Sequence, residues 1–154
     1  MDSGCIKTMK LSVIIPAYNE RHTIGPCLVK VAGAIPQVEK EIIIVDDCSR
    51  DGTRDWLGEG VDGIACHDGA LEVDEDGHIK QVAGDAAFNI RVLYHEINKG
   101  KGGALQTGLA AATGDVIIIQ DADLEYDPAD WAQMYSLIVE REVADVVYGS
   151  RFFG

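Results

Sequence analysis

Residues 115–126 read DVIIIQDADLEY, and the reading of this stretch decides the fold. Val116, Ile117, Ile118 and Ile119 are β-branched and contiguous, whereas a half-buried strand alternates apolar with polar residues. The run predicts a strand covered on both faces in the middle of a parallel sheet. It stops at Asp121 and Asp123, two carboxylates one residue apart, which would stand just past the carboxyl end of that strand. Open α/β sheets bind ligands along that edge, and carboxylate oxygens suit a hard divalent cation. Asp is also a common turn residue, so the triplet alone leaves a plain turn open.

The same grammar repeats on the amino-terminal side. Residues 11–15 (LSVII) predict a first strand closed by Pro16, which cannot continue a central ladder. After AYNE, the helical spacing of Ile24, Cys27, Leu28, Val31 and Ile35 predicts a helix with Pro26 in its first turn. Residues 41–45 (EIIIV) predict a second buried strand, ending in Asp46 and Asp47. The loop CSRDGT follows, and its Thr53 is placed to cap a short helix through Trp56. Residues 91–95 (RVLYH) predict a third strand, and NKGKGGALQTGLAAATG leads into a helix whose small residues allow close packing on the sheet. The glycines there fit neither the Walker spacing nor G-x-G-x-x-G, so Lys99 and Lys101 read equally well as solvated charges in a tight turn. Beyond residue 126, Asp127, Pro128 and Asp130 predict a helix start, with Trp131, Met134, Tyr135 and Ile138 forming its apolar face. Residues 144–148 (ADVVY) predict a last strand. Strands alternating with helices imply right-handed βαβ crossovers and a mostly parallel α/β sheet.

Composition narrows the functions. At 154 residues and 47 % hydrophobic, the chain predicts one domain with a real core, residues 1–10 being a flexible leader to a domain over 11–154. No apolar run approaches a membrane span and the N-terminus lacks a signal peptide's apolar core, so a cytoplasmic protein is expected. Cys5, Cys27, Cys48 and Cys66 lack metal-ligand spacing and read as free thiols. A formal charge of −13 argues against nucleic acid as a partner. An anionic ligand would need a local cation.

The excess charge is concentrated. Residues 55–85 hold nine acids against Lys80 alone, a local balance of −8. The region 58–89 is expected to be an acidic insertion, its most regular part a hairpin of ALEVDE and HIKQV around Asp76-Gly77. Removal of residues 62–84 is expected to leave the sheet intact, since surface insertions add little closure entropy. Glu72, Asp74, Asp76 and Gly77 brush against a calcium loop, but Ala83 stands where the bidentate acid is required.

Taken in order, VIIPAYNE, IIIVDDCSRDGT, NKGKGGALQTGL, IIIQDADLEYDP and VVYGSRF resemble the nucleotide-sugar-binding half of the inverting family-2 glycosyltransferases, most of all the dolichyl-phosphate and polyprenyl-phosphate sugar transferases. The resemblance implies a three-layer α/β/α domain of the Rossmann-like GT-A type, truncated on its C-terminal side. It implies that Pro16, Ala17, Tyr18 and Glu20 hold base and ribose, that Val45 and Asp47 add nucleotide contacts, and that Asp121, Ala122 and Asp123 form the metal motif. Asp123 would be the direct ligand of Mg²⁺ or Mn²⁺, with Asp121 beside it facing sugar or ribose. Arg151 would hold phosphate oxygens by its planar fork. The implied reaction moves a hexose from a nucleotide sugar, GDP-mannose or UDP-glucose, to a lipid phosphate. Relatives continue past GSRF into acceptor-side segments. The resemblance therefore implies either a membrane-anchored partner or a further C-terminal region, and a place at the cytoplasmic membrane face. A binding module without transfer activity is the competing reading. A nucleotidyltransferase is a weaker one, because PAYNE stands where its glycine-rich basic loop would be.

Overall fold

The computed structural model describes residues 9–150. Residues 1–8 of the expected flexible leader, and Arg151, lie outside that span. Met9 and Lys10 are tied down: the Met9 N–H donates to Tyr135 Oη, that hydroxyl donates back to the Met9 carbonyl, and the Lys10 N–H donates to Asp115 Oδ2.

Among the described residues, six strands form one sheet: β1 (Leu11–Ala17), β2 (Lys40–Asp46), β3 (Ala65–Val73), β4 (Ile79–Ala83), β5 (Ala86–Tyr94) and β6 (Val116–Ile119). Their order is β4-β3-β5-β2-β1-β6. The run β5-β2-β1-β6 is parallel, whereas β3 is antiparallel to both its neighbours. Helix α1 (Ile24–Gly33) returns the chain from β1 to β2, α2 (Thr53–Gly60) follows β2, and α3 (Gly100–Ala111) links β5 to β6. The helix expected after Pro128 begins as a 3₁₀ turn (Pro128–Asp130), with Asp127 accepting from the Ala129 N–H, continues as α4 (Trp131–Tyr135) and ends in a π turn (Ser136–Glu140).

The strands in the centre are buried on both faces because alternate residues feed two layers. Val13 and Ile15 of β1, with Ile42 and Ile44 of β2, pack with Leu28 and Val31 of α1 in the larger core. Ile43 and Val45 point the other way, against Ala104 of α3. Lys40, fully buried, is accommodated because its ammonium donates to the carbonyls of Ala34, Ile35 and Val38 just past α1.

Several expectations are corrected. The stretch VIII is not central: β6 is the edge strand, with Ile117 43 % and Ile119 47 % exposed while Val116 and Ile118 pack on the core. A contiguous apolar run is as compatible with an edge strand covered on one face as with a central one, and periodicity does not separate them. Residues 144–148 form no strand, and Val146 and Tyr148 are exposed. Pro16 does not close β1; it lies beyond the last β1–β6 pair, Ile14 with Ile119, where its missing N–H removes no ladder bond to β6. The third strand begins at Ala86, not at residue 91. Thr53 is not the cap of α2, because Gly52, at φ +93°, takes that place, and Asp51 Oδ1 accepts from the Thr53 N–H and hydroxyl.

The acidic region 58–89 is likewise more than a surface insertion. Its hairpin is β3–β4, and β3 extends the main sheet beside β5 and packs against α1. Leu71, 2 % exposed, is part of the core, and Trp56 Nε1 donates to the Gly77 carbonyl in the hairpin turn. A single inward leucine among acids gave too weak an apolar period to read as a core strand.

Candidate active site

The parallel strands β5, β2, β1 and β6 end at one edge of the sheet, and the loops that follow them enclose a cleft of about 400 Å³. β1 delivers Pro16, Ala17, Tyr18 and Glu20; β2 delivers Asp47; β6 delivers Asp121, Ala122 and Asp123. All eight were expected from the sequence. Val45 is not brought to the cleft wall: it is fully buried beneath Ala104. Asn98, Gly100, Lys101 and Ala104, at the start of α3, complete the lining.

Short hydrogen bonds fix these loops. The Asp47 N–H donates to the Ala17 carbonyl, joining the ends of β1 and β2. Asn19, at φ +55°, accepts from the Arg50 N–H while its own N–H donates to Ser49 Oγ. The Glu20 N–H donates to Thr53 Oγ1, and a Glu20 carboxylate oxygen accepts from Thr23 Oγ1 at 2.6 Å. Tyr18 stands half-exposed in the cleft lining.

The two adjacent acids of β2 have separate fates. Asp46 points into the protein, fully buried, with Arg54 Nη1 3.6 Å from Oδ2 and, among the described residues, no hydrogen-bond partner at Oδ1. Asp47 faces the cleft. Its Oδ1 accepts from His95 Nδ1 at 2.7 Å and from the Lys99 N–H at 2.8 Å, and Asn98 Nδ2 donates to its carbonyl. Burial alone would raise the Asp47 pKa, but the N–H groups of Lys99 and Gly100 and the His95 ring outweigh it and hold the carboxyl below the usual range.

At the end of β6, Gln120 braces the loop of Asp121 and Asp123 from inside, its Nε2 donating to the carbonyls of Asp121 and Tyr126. Cys27 Sγ lies 3.7 Å from the same Asp121 carbonyl, and Asp123 Oδ1 accepts from the Glu125 N–H. Burial pushes the Cys27 thiol up to about 12, and the charges of Asp123, Glu20 and Asp121 add to the effect. Lys101 Nζ sits on the Asp121 carboxylate, 2.6 Å from Oδ1 and 2.8 Å from Oδ2. It forms a specific ion pair with Asp121.

The donor set fits a hard divalent cation. Asp121 and Asp123 offer oxygens only, in the number by which Mg²⁺ is ordinarily held, one or two carboxylates with substrate phosphates supplying the rest. A second acidic group, Asp74, Asp76 and His78, brings ligand atoms within 4.8 Å of one another in the β3–β4 turn. There Asp74 already accepts from the N–H groups of Asp76 and His78 and pairs with Lys80, which is what an Asp-led turn requires. Among the described residues no helix is long and apolar enough to cross a membrane.

The roles of His95, Lys101 and Gln120 escaped the sequence reading. Each takes its role from a partner in space, and only the position of His95 at the end of an apolar run hinted at one.

Comparison with known proteins agrees with this geometry. The family model for glycosyl transferase family 2 matches residues 12–69 and 73–154. The chain is 29 % identical to a dodecaprenyl-phosphate galacturonate synthase of Rhizobium johnstonii over 95 % of its own length, and 29 % identical to a dolichol-phosphate mannosyltransferase of Pyrococcus furiosus over 94 %. It spans 37 % and 34 % of those relatives. Among solved structures, the mannosyltransferase PcManGT from Pyrobaculum calidifontis, in complex with GDP-Man and Mn²⁺, superposes with a TM-score of 0.51 at 26 % identity, over 76 % of this chain and 28 % of that one. With the family model matched along nearly the whole sequence and the acid motif at the ligand-binding edge of the sheet, the chain belongs to glycosyl transferase family 2.

Proposed function

We propose that this chain is the donor-binding part of a metal-dependent inverting glycosyltransferase that moves a hexose from a nucleotide sugar, GDP-mannose or UDP-glucose, to a polyprenyl or dolichyl phosphate at a membrane surface. The observation that carries the reading is the meeting of Tyr18, Glu20, Asp47, Asp121 and Asp123 in one cleft at the carboxyl edge of the sheet. Tyr18 offers its ring face to the base, and Glu20 and Asp47 offer carboxylate acceptors to ribose hydroxyls. Asp123 and Asp121 would hold Mg²⁺ or Mn²⁺, which when bound neutralises the negative charge that builds on the departing diphosphate. The rigid loop braced by Gln120 keeps both acids oriented before the donor arrives, which lowers the reorganisation needed at reaction. A phosphate acceptor is largely ionised near neutral pH, its second pKa being about 6 by analogy with phosphorylated side chains, so no strong general base is required of the chain.

Calorimetric titration of GDP, UDP and their sugars, with Mn²⁺ and in excess EDTA, tests the proposal. Binding of at least one nucleotide that depends on Mn²⁺ and weakens about tenfold or more in Asp123→Asn is expected, the scale on which metal-site changes act. Equal affinity in EDTA would refute it.

A further inference from the structure

We infer that Lys101 couples the metal to the diphosphate: it occupies Asp121 while the cleft is empty and releases it only when a diphosphate offers the ammonium another partner. The inference rests on the donor-site reading above and deepens it. Among the described residues lining the cleft, Lys101 is the one cation facing four acids, Glu20, Asp47, Asp121 and Asp123. It engages both Asp121 oxygens, at 2.6 and 2.8 Å, the same atoms that Asp121 would offer to a cation.

The two partners differ in freedom. Asp121 is 23 % exposed, and the hydrogen bonds at its carbonyl fix it to Cys27 and Gln120. The Lys101 side chain is 59 % exposed on the first turn of α3, carried on a flexible stem. When the pair parts, it is the lysine that moves. A bare divalent cation must displace an ammonium from Asp121 and then sit beside it, and a bare diphosphate must enter a cleft of four carboxylates past an ammonium already engaged. Arriving together they relieve both conflicts, because the diphosphate draws the ammonium away and Asp121 is freed for the metal. Each ligand therefore raises the affinity of the other by the same factor, as linkage requires.

The test compares wild type with Lys101→Met and Lys101→Arg in the whole chain, each first shown to unfold thermally like wild type. Mn²⁺ is titrated without nucleotide, GDP and UDP without metal, and each ligand with the other saturating. Lys101→Met is expected to bind bare Mn²⁺ about tenfold more tightly and metal-free nucleotide about tenfold more weakly, and its ternary complex, lacking the ammonium on the diphosphate, about tenfold more weakly, so that the factor linking the two ligands falls about tenfold, a size within the usual range of coupling between sites. Lys101→Arg keeps the charge and is expected to keep the linkage. A purely structural role for Lys101 would weaken both ligands together and would not produce opposite signs. Unchanged affinity of Lys101→Met for bare Mn²⁺ overturns the inference whether or not nucleotides bind. Failure of the wild type to bind any nucleotide in Mn²⁺ overturns the donor-site reading, and the coupling with it.

Discussion

Nδ1 of His95 lies 2.7 Å from Oδ1 of Asp47, and both side chains are almost wholly buried. A carboxylate only accepts, so Nδ1 donates to Asp47, and Nε2 lies 2.8 Å from the Thr107 hydroxyl. The ring thus joins the end of β2, where the cleft begins, to the middle of α3. With Oδ1 engaged by His95 and by the Lys99 N–H, the carboxylate is held in one orientation toward the cleft.

Nucleotide affinity should follow the Asp47 bond and not the volume of the ring. His95→Asn places an amide donor near Nδ1 and is expected to retain nucleotide affinity within about threefold, whereas His95→Leu should lose about tenfold, the scale of a hydrogen bond to a charged group. Both variants lose the Thr107 bond, and His95→Leu should lose more thermal stability because the buried Asp47 carboxylate also loses a donor. Equal nucleotide affinity for the two variants would show that the ring is packing alone.

What was legible in the sequence was local. Each βα unit announced itself through an apolar run, a turn and a helical period, and the cleft residues Pro16 to Glu20, Asp47 and Asp121 to Asp123 stand at the ends of those runs. What was not legible depends on distant partners. The edge position of β6 is decided by which strands flank it, not by its own residues. Lys101 acquires its meaning from Asp121 twenty positions away, and His95 from Asp47 forty-eight away. The hairpin misled because its acids dominate the composition, while membership of the sheet rests on backbone pairing with β5 and on Leu71.

At the opposite edge of the sheet, Glu41 predicts an acid-sensitive latch. Its carboxylate accepts from Ser12 Oγ at 2.5 Å, from the N–H and hydroxyl of Thr113 and from the Gly114 N–H, with Lys10 at 3.4 Å, so it holds the α3–β6 loop to β1 and β2. Burial opposes ionisation, but these donors outweigh it and lower the pKa to about 2 from 4.5. The folded value lies below the unfolded one, so the stabilisation is present in full above pH 4.5 and is lost as pH falls toward 2. On the usual conversion it is on the order of 3 kcal/mol at neutral pH. Urea unfolding of Glu41→Gln should show lower stability than wild type at pH 7 and a smaller further loss between pH 4.5 and pH 3. Parallel pH profiles would count against the latch.

Two glycines of α3 should respond to alanine with opposite signs. A Cβ at Gly108 would overlap Cγ2 of the fully buried Ile14, whereas one at Gly102 meets nothing within 4 Å among the described residues. Gly102→Ala should gain about 0.5–1 kcal/mol from helix propensity. Gly108→Ala should lose stability, because overpacking of about 1–3 kcal/mol exceeds that gain. Melting temperatures of the two variants decide it, and a stabilised Gly108→Ala would mean that α3 sits farther from β1.

Deleting residues 62–84 and bridging the ends with a glycine linker should unfold the protein or lower its melting temperature steeply, contrary to what the acidic composition suggests. The deletion removes β3 and β4, bares the N–H and C=O groups along the outer edge of β5, and uncovers the face of α1 on which β3 packs. It also takes away the Gly77 carbonyl that satisfies buried Trp56 Nε1, and the Asp62 carboxylate that accepts from the Val92 N–H at 2.8 Å. Leu71→Ala isolates the packing contribution and should cost about 2–5 kcal/mol, as for other buried leucines. Neutralising the exposed Glu75 and Asp76 in the same hairpin should stay within about 0.5 kcal/mol of wild type, because surface substitutions seldom do more. Denaturant melts of the three variants separate charge from packing: if the deletion kept the parent midpoint while Leu71→Ala was also neutral, β3 would be an ornament on the sheet and not one of its walls.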